Sequence, residues 1–214
     1  TLMATENWDD HDRSDRYTTR LNAQAYLESC DQNAIMFTIG DNDTFPLWYM
    51  QEVEGIRTDL KLVNTSLFAT DWYIDQMKRA TYKSAPIPSQ LIHDQYKYGS
   101  LDIAYHIEHP RFKDSIIGIK DFMRWISSDS DATYYIDEEN DIKEKFYPTN
   151  RIRIPVNKEN DLKNGVVAQK DADKIVDFID ITIDSRGITK NRILRLDILA
   201  NNDWKRPIYF TGGA

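Results

Sequence analysis

A chain of 214 residues, 41% hydrophobic and 29% charged, can bury one large core and lies far from the composition of disordered chains. Twenty-seven Lys and Arg stand against thirty-five Asp and Glu, a net charge of −8 with the acids scattered, which makes nucleic acid and anionic membrane poor partners. The longest apolar runs, 34–39 and 116–119, are too short to cross a bilayer, and the one cysteine, Cys30, permits neither an internal disulfide nor a cysteine metal cluster.

No charged-then-apolar leader opens the chain, so the sequence reads as that of a soluble domain. The opening Thr1-Leu2-Met3 and the closing Gly212-Gly213-Ala214 read as edges of a piece from something larger. Residues 14–30 have helical spacing at Ala23, Tyr26, Leu27 and Cys30, with Ser14 or Asp15 as the expected cap and Cys30 expected to pack. The nearly continuous apolar run at 34–39 has the length and pattern of a strand covered on both faces. Gly40 to Asp43 is expected to turn the chain, Thr44 to cap a second helix with Pro46 in its first turn, and Gly55 to end it. A second strand follows at 60–67.

Helix, strand, helix, strand with short joints is βαβ grammar. It predicts a single α/β domain over 1–214, Rossmann-like, with a mostly parallel sheet flanked by helices and with the first two strands parallel neighbours. A helix at 190–200 and a strand at 207–210 close the same sheet. Residues 84–165 are less regular and are expected to form a mixed α+β insertion. It would carry a proline-containing loop at 84–90, strands at 102–107 and around Ile152, Ile154 and Val156, a helix at 119–127, and surface loops at 137–145 and 157–164.

In an open α/β sheet, ligands bind beyond the carboxyl ends of the strands. That rule selects Asp41, Asn42, Asp43 and Thr44 after the first strand, Asn64 at the end of the second, and Asp71 with Trp72 just beyond. Asp41 and Asp43 are candidate ligands for a divalent cation (Ca²⁺, Mg²⁺ or Mn²⁺), or acceptors for sugar hydroxyls beside the Trp72 ring. The same turn has a bland reading, since Asp and Asn cap helices and tolerate left-handed backbone. An EF-hand is excluded, because Pro46 stands where its glycine must be. The sequons at Asn42 and Asn64 read as chance matches. No phosphate loop or GxGxxG is present among the eight glycines, and no GxSxG elbow. The opening 7–16 packs aspartates around Trp8, and Asp10, His11 and Arg13 are candidate ligand-binding residues expected to fold back toward Asp41 and Asp43, with Trp8 buried. A lone His amid acids is as readily a salt-bridged knot.

Three segments, ENWDDHDRSDRYTTR at 6–20, NAIMFTIGDNDTFPLWYMQEVEGIRTDLKLVNTSL at 33–67 and TDWYIDQMK at 70–78, together with LDILANNDWKRPIYF at 196–210, carry a family resemblance. They resemble the soluble part of a multi-pass membrane family abundant in Bacteroidetes, catalogued as a domain of unknown function and related to vertebrate protein O-mannosyltransferases of the transmembrane type. The resemblance implies a parent with N-terminal transmembrane helices, a lipid-linked sugar donor and this domain on the extracytoplasmic (periplasmic) side. The catalytic acid of such enzymes lies in a loop between the first membrane helices, so no catalytic residue carries over. The expected function is an accessory domain of a membrane glycosyltransferase-like protein, docking on its membrane part or positioning an acceptor protein or glycan. The alternatives are a self-contained metal-dependent enzyme on sugar or phosphate esters, with His11 as acid/base, and a scaffold whose motifs are all structural.

Overall fold

A computed structural model describes residues 12–212 apart from 113, 138 and 140. In chain order its elements are α1 (Thr18–Glu28), β1 (Ile35–Thr38), α2 (Gly40–Glu52), β2 (Lys61–Asn64), α3 (Asp71–Met77), α4 (His93–Tyr96), β3 (Ile103–His106), β4 (Ile117–Gly118), α5 (Ile119–Ser127), β5 (Tyr134–Asp137), β6 (Ile142–Tyr147), β7 (Arg151–Pro155), α6 (Lys158–Lys163), β8 (Phe178–Thr182), β9 (Gly187–Thr189), α7 (Lys190–Asn202) and β10 (Ile208–Phe210). The result is a mixed α/β fold. The first sheet has the order β10-β1-β2 and is parallel throughout, so β1 and β2 are the expected parallel neighbours, joined by α2. The other two, β5-β6-β3-β9 and β4-β7-β8, combine parallel and antiparallel pairs and draw strands from either side of residue 165.

The apolar run at 34–39 is continuous because both faces of β1 are covered. Ile35 and Phe37 join Val63 on one face, against Phe68, Tyr73 and Ile74 near α3, Phe122 on α5 and Ile193 on α7. Ala34 and Met36 point the other way and join Leu62, with Ala23 and Leu27 of α1 and Leu47 and Met50 of α2. Cys30 packs in this second cluster, as expected. Arg57 holds the end of α1, its guanidinium donating to the carbonyls of Leu27 (2.6 Å) and Cys30 (2.9 Å).

Four local expectations are corrected. The first helix begins at Thr18, because the Ser14 N–H and hydroxyl both turn back onto the Asp12 carboxylate, at 2.9 and 2.6 Å. The second begins at Gly40, not after Thr44: Gly40 at φ 69° swings the strand directly into the helix, so 40–43 form its first turn and Pro46 lies inside it. Residues 137–145, expected as a loop, belong largely to the antiparallel hairpin β5–β6, whose polar strands hid the pattern. Residues 157–164, also expected as a loop, hold α6, capped where Asn157 accepts from the Asn160 N–H at 3.2 Å. Gly55 ends α2 as expected, at φ 68°.

Candidate functional site

The carboxyl ends of β1, β2 and β10 bring Asp43, Thr44 and Asn64 together, as the strand-end rule anticipates. Thr44 Oγ1 donates to the Gly40 carbonyl at 2.7 Å and accepts from Asn64 Nδ2 at 2.9 Å. Its remaining lone pair lies 2.6 Å from Thr38 Oγ1, which must therefore donate, so the Thr44 hydroxyl is saturated. Asn64, only 2% exposed, accepts the N–H groups of Ser66 and Leu67 on Oδ1 at 2.9 and 3.0 Å. Thr211, buried beyond β10, donates to Asp43 Oδ2 at 2.7 Å. The strand ends, where an open parallel sheet offers its ligand crevice, are thus bridged by the protein's own side chains.

The other sequence-derived candidates are dispersed. Asp41 and Asn42 sit exposed on the first turn of α2, where Asp41 and Asp43 complement the helix dipole. Among the described residues no group of three or more His, Cys, Asp and Glu side chains could hold a metal ion. Asp71 opens α3, its carboxylate accepting the Trp72 N–H at 2.7 Å. Arg13 is exposed. Asp10, His11 and Trp8 lie outside the described residues, and so does the expectation that they fold back onto the strand ends.

Trp72 leads to a cleft that sequence reasoning missed. At 55% exposure it lines a cavity of about 350 Å³ between α2, α3 and the free edge of β2, together with Trp48, Gln51, Gln76, Lys61 and Tyr82. Gln51 Nε2 donates to the carbonyls of Arg57 and Leu60 at 2.8 and 3.1 Å, which fixes that wall, and the Tyr82 hydroxyl donates to Glu52. Lys61 is buried at the start of β2, with Nζ donating to the Arg79 carbonyl at 2.9 Å. Burial, with the Arg206 charge adding to it, lowers the Lys61 pKa to about 8. Two indoles beside amides can receive a ring that is apolar on its faces and polar at its edges. The local signal was the lysine inside the apolar segment Leu60–Val63. Trp48 alone gave none, because helical tryptophans are usually core.

Among the described residues, no helix is long and apolar enough to cross a membrane. No curated protein and no solved structure matches the chain. The family described as TMEM260-associated domain 2 matches residues 19–214, the middle of the chain included and the first eighteen residues left out. By that extent, the chain belongs to the TMEM260-associated domain 2 family.

Proposed function

We propose that this chain is the extramembrane accessory domain of a membrane glycosyltransferase-like protein, on the extracytoplasmic (periplasmic) side, and that its Trp48–Trp72 cleft positions the acceptor. The observation that carries the reading is the cleft: exposed indole beside hydrogen-bonding amides suits the alternation of C–H faces and hydroxyl edges in a sugar ring or glycosylated loop. Membership in a TMEM260-associated family supports the link to a membrane protein. The protein O-mannosyltransferase relationship comes from the sequence resemblance.

The test is made in the full-length membrane protein. Trp72→Ala, which removes an exposed ring, should leave the domain folded and lower glycan transfer to acceptors about tenfold or more, the loss of one stacking contact with some of its neighbours. Unchanged transfer would sink the positioning role. One observation favours a second reading, a scaffold without a ligand of its own: the strand-end network is closed on itself. That reading expects Trp72→Ala to be silent and Asn64→Ala to act through stability alone.

A further inference from the structure

At the opposite edge of the parallel sheet, beside β10, α6 and the Asp203–Trp204 turn enclose a second cavity of about 260 Å³. Its walls are mostly apolar, from Ile154, Val166, Leu199, Trp204, Ile208 and Tyr209. Three asparagines at helical spacing build it. Asn157 and Asn160 donate to the Asp203 carboxylate at 3.2 and 3.1 Å, and Asn164 donates to the Trp204 carbonyl at 2.7 Å. These staples hold Asp203 and Trp204 at φ 47° and 58°, a consecutive left-handed pair that non-glycine residues resist and that turns the Trp204 ring into the wall.

Into this apolar space comes a carboxylate without a counter-ion. Asp161 is 5% exposed, and among the described residues no hydrogen bond or ion pair reaches its side chain. Burial alone acts on it, raising its pKa. The neighbouring donors are committed elsewhere. Trp204 Nε1 donates to the Pro155 carbonyl at 2.8 Å, and the Tyr209 hydroxyl to Asp31 at 2.7 Å. Arg206 donates to the carbonyls of Asn33 and Pro86 at 2.7 and 2.9 Å. Asn202, also in the wall, gives Nδ2 to the Arg206 carbonyl and leaves Oδ1 buried without a partner. The unspent polar groups are acceptors, so an occupant must donate, and a positively charged donor offsets the charge of a carboxylate held in apolar walls.

We propose that this cavity binds an ammonium group carried on an apolar stem, with the Asp161 carboxylate as counter-ion and the Trp204 ring as part of the apolar wall. The cavity lies just below the range of about 300–1,000 Å³ that takes drug-sized ligands, so its occupant is small. A free arylalkyl or alkyl amine and a lysine side chain of a polypeptide share this chemistry. The inference is independent of the Trp48–Trp72 cleft.

The test is an NMR titration of the chain, following the Trp204 indole and Asn202 side-chain amide signals. The probes are 2-phenylethylamine for a free amine, Nα-acetyl-lysine methylamide for a lysine side chain, and neutral 2-phenylethanol. At least one amine should give saturable shifts, the tighter of the two naming the source, with the alcohol weaker by about tenfold or more. Asp161→Asn, uncharged and of the same shape, should weaken the amine by a similar factor. Val166→Trp, at an exposed position of the rim, should block the cavity without touching Asp161, and it decides the matter should the first variant fail to fold. Absence of saturation with both amines, equal affinity for the alcohol, or amine binding that survives the substitutions would overturn the proposal.

Discussion

At the scale of single residues, the charges set into apolar surroundings have the clearest consequences. Lys61 is 3% exposed in β2, and its pKa of about 8 lies below the ordinary 10.5 because burial disfavours the ammonium. Between those values the unfolded chain binds the proton that the folded chain has released, so stability rises with pH through that window, and below it the cost of the buried charge is fully present. Lys145 is lowered to about the same value by its own burial, so the wild-type curve alone does not isolate either lysine. The difference between wild type and Lys61→Met does. In urea unfolding, wild type should gain on the variant by more than about 1 kcal/mol as pH rises from neutral to 10.5, with no change below 8. A difference independent of pH would mean that the amine is solvated in the fold. Such residues were half legible in the sequence. A lysine inside an apolar strand can be seen there, whereas its partners, the Arg79 carbonyl and the Thr81 hydroxyl, come from a loop whose approach no local pattern encodes. Asn64, Thr44 and Asp43 were legible as a cluster because strand ends are, but their partners proved to be one another, Thr38, Thr211 and backbone N–H groups.

At the scale of elements, the parallel unit β1-α2-β2 could be read because each part carries its own signal: a two-face apolar run, a helix closed off by Gly55, a second apolar run. The joint between them could not, since a glycine followed by Asp-Asn-Asp suits a turn as well as the first turn of a helix. Gly40 decides it. An added Cβ there would meet nothing within 4 Å, so a substitution acts through the backbone alone, at φ 69°. Gly40→Ala should cost about 1–2 kcal/mol, and Gly40→Asn less, because Asn tolerates the left-handed region. Thermal unfolding of the three proteins should rank them glycine, asparagine, alanine. Equal stability of all three would place the start of α2 elsewhere. The hairpin β5–β6 and helix α6 escaped for a different reason. The hairpin's inward residues, such as Phe146's neighbour Tyr147, are spaced among charges, and α6 has one leucine in six residues, so neither shows a periodic apolar face. What fixes α6 is its asparagines meeting the Asp203–Trp204 turn about forty positions away.

At the scale of the molecule, the larger apolar cluster decides whether the middle of the chain stands by itself. It includes Ile35, Phe37 and Val63 from the parallel sheet, Ala104, Tyr147, Ile152 and Ile154 from the other two sheets, and Ile193, Leu194 and Ile198 from α7. Trp48 packs against this cluster and the smaller one, linking the two faces of the parallel sheet. The chain also closes on itself, because β1 pairs with β10 from Ile35 opposite Ile208 to Phe37 opposite Phe210, where the two phenylalanine rings stack 5.1 Å apart. A chain of 214 residues is long enough that all-or-none unfolding is not the default. Here the shared core argues for it, since residues 84–165 cannot leave without exposing the inner faces of β1 and α7. The described tryptophans report from each region: Trp48 and Trp72 near the start, Trp125 in the middle and Trp204 near the end. Urea unfolding followed by tryptophan fluorescence and by far-ultraviolet circular dichroism should therefore give one coincident transition. Replacing Trp125 by phenylalanine should leave the fluorescence midpoint equal to that variant's circular-dichroism midpoint. Two separated transitions, the earlier one lost with Trp125, would show instead that the middle of the chain opens as a unit of its own and that the shared cluster is too weak to couple it to the parallel sheet.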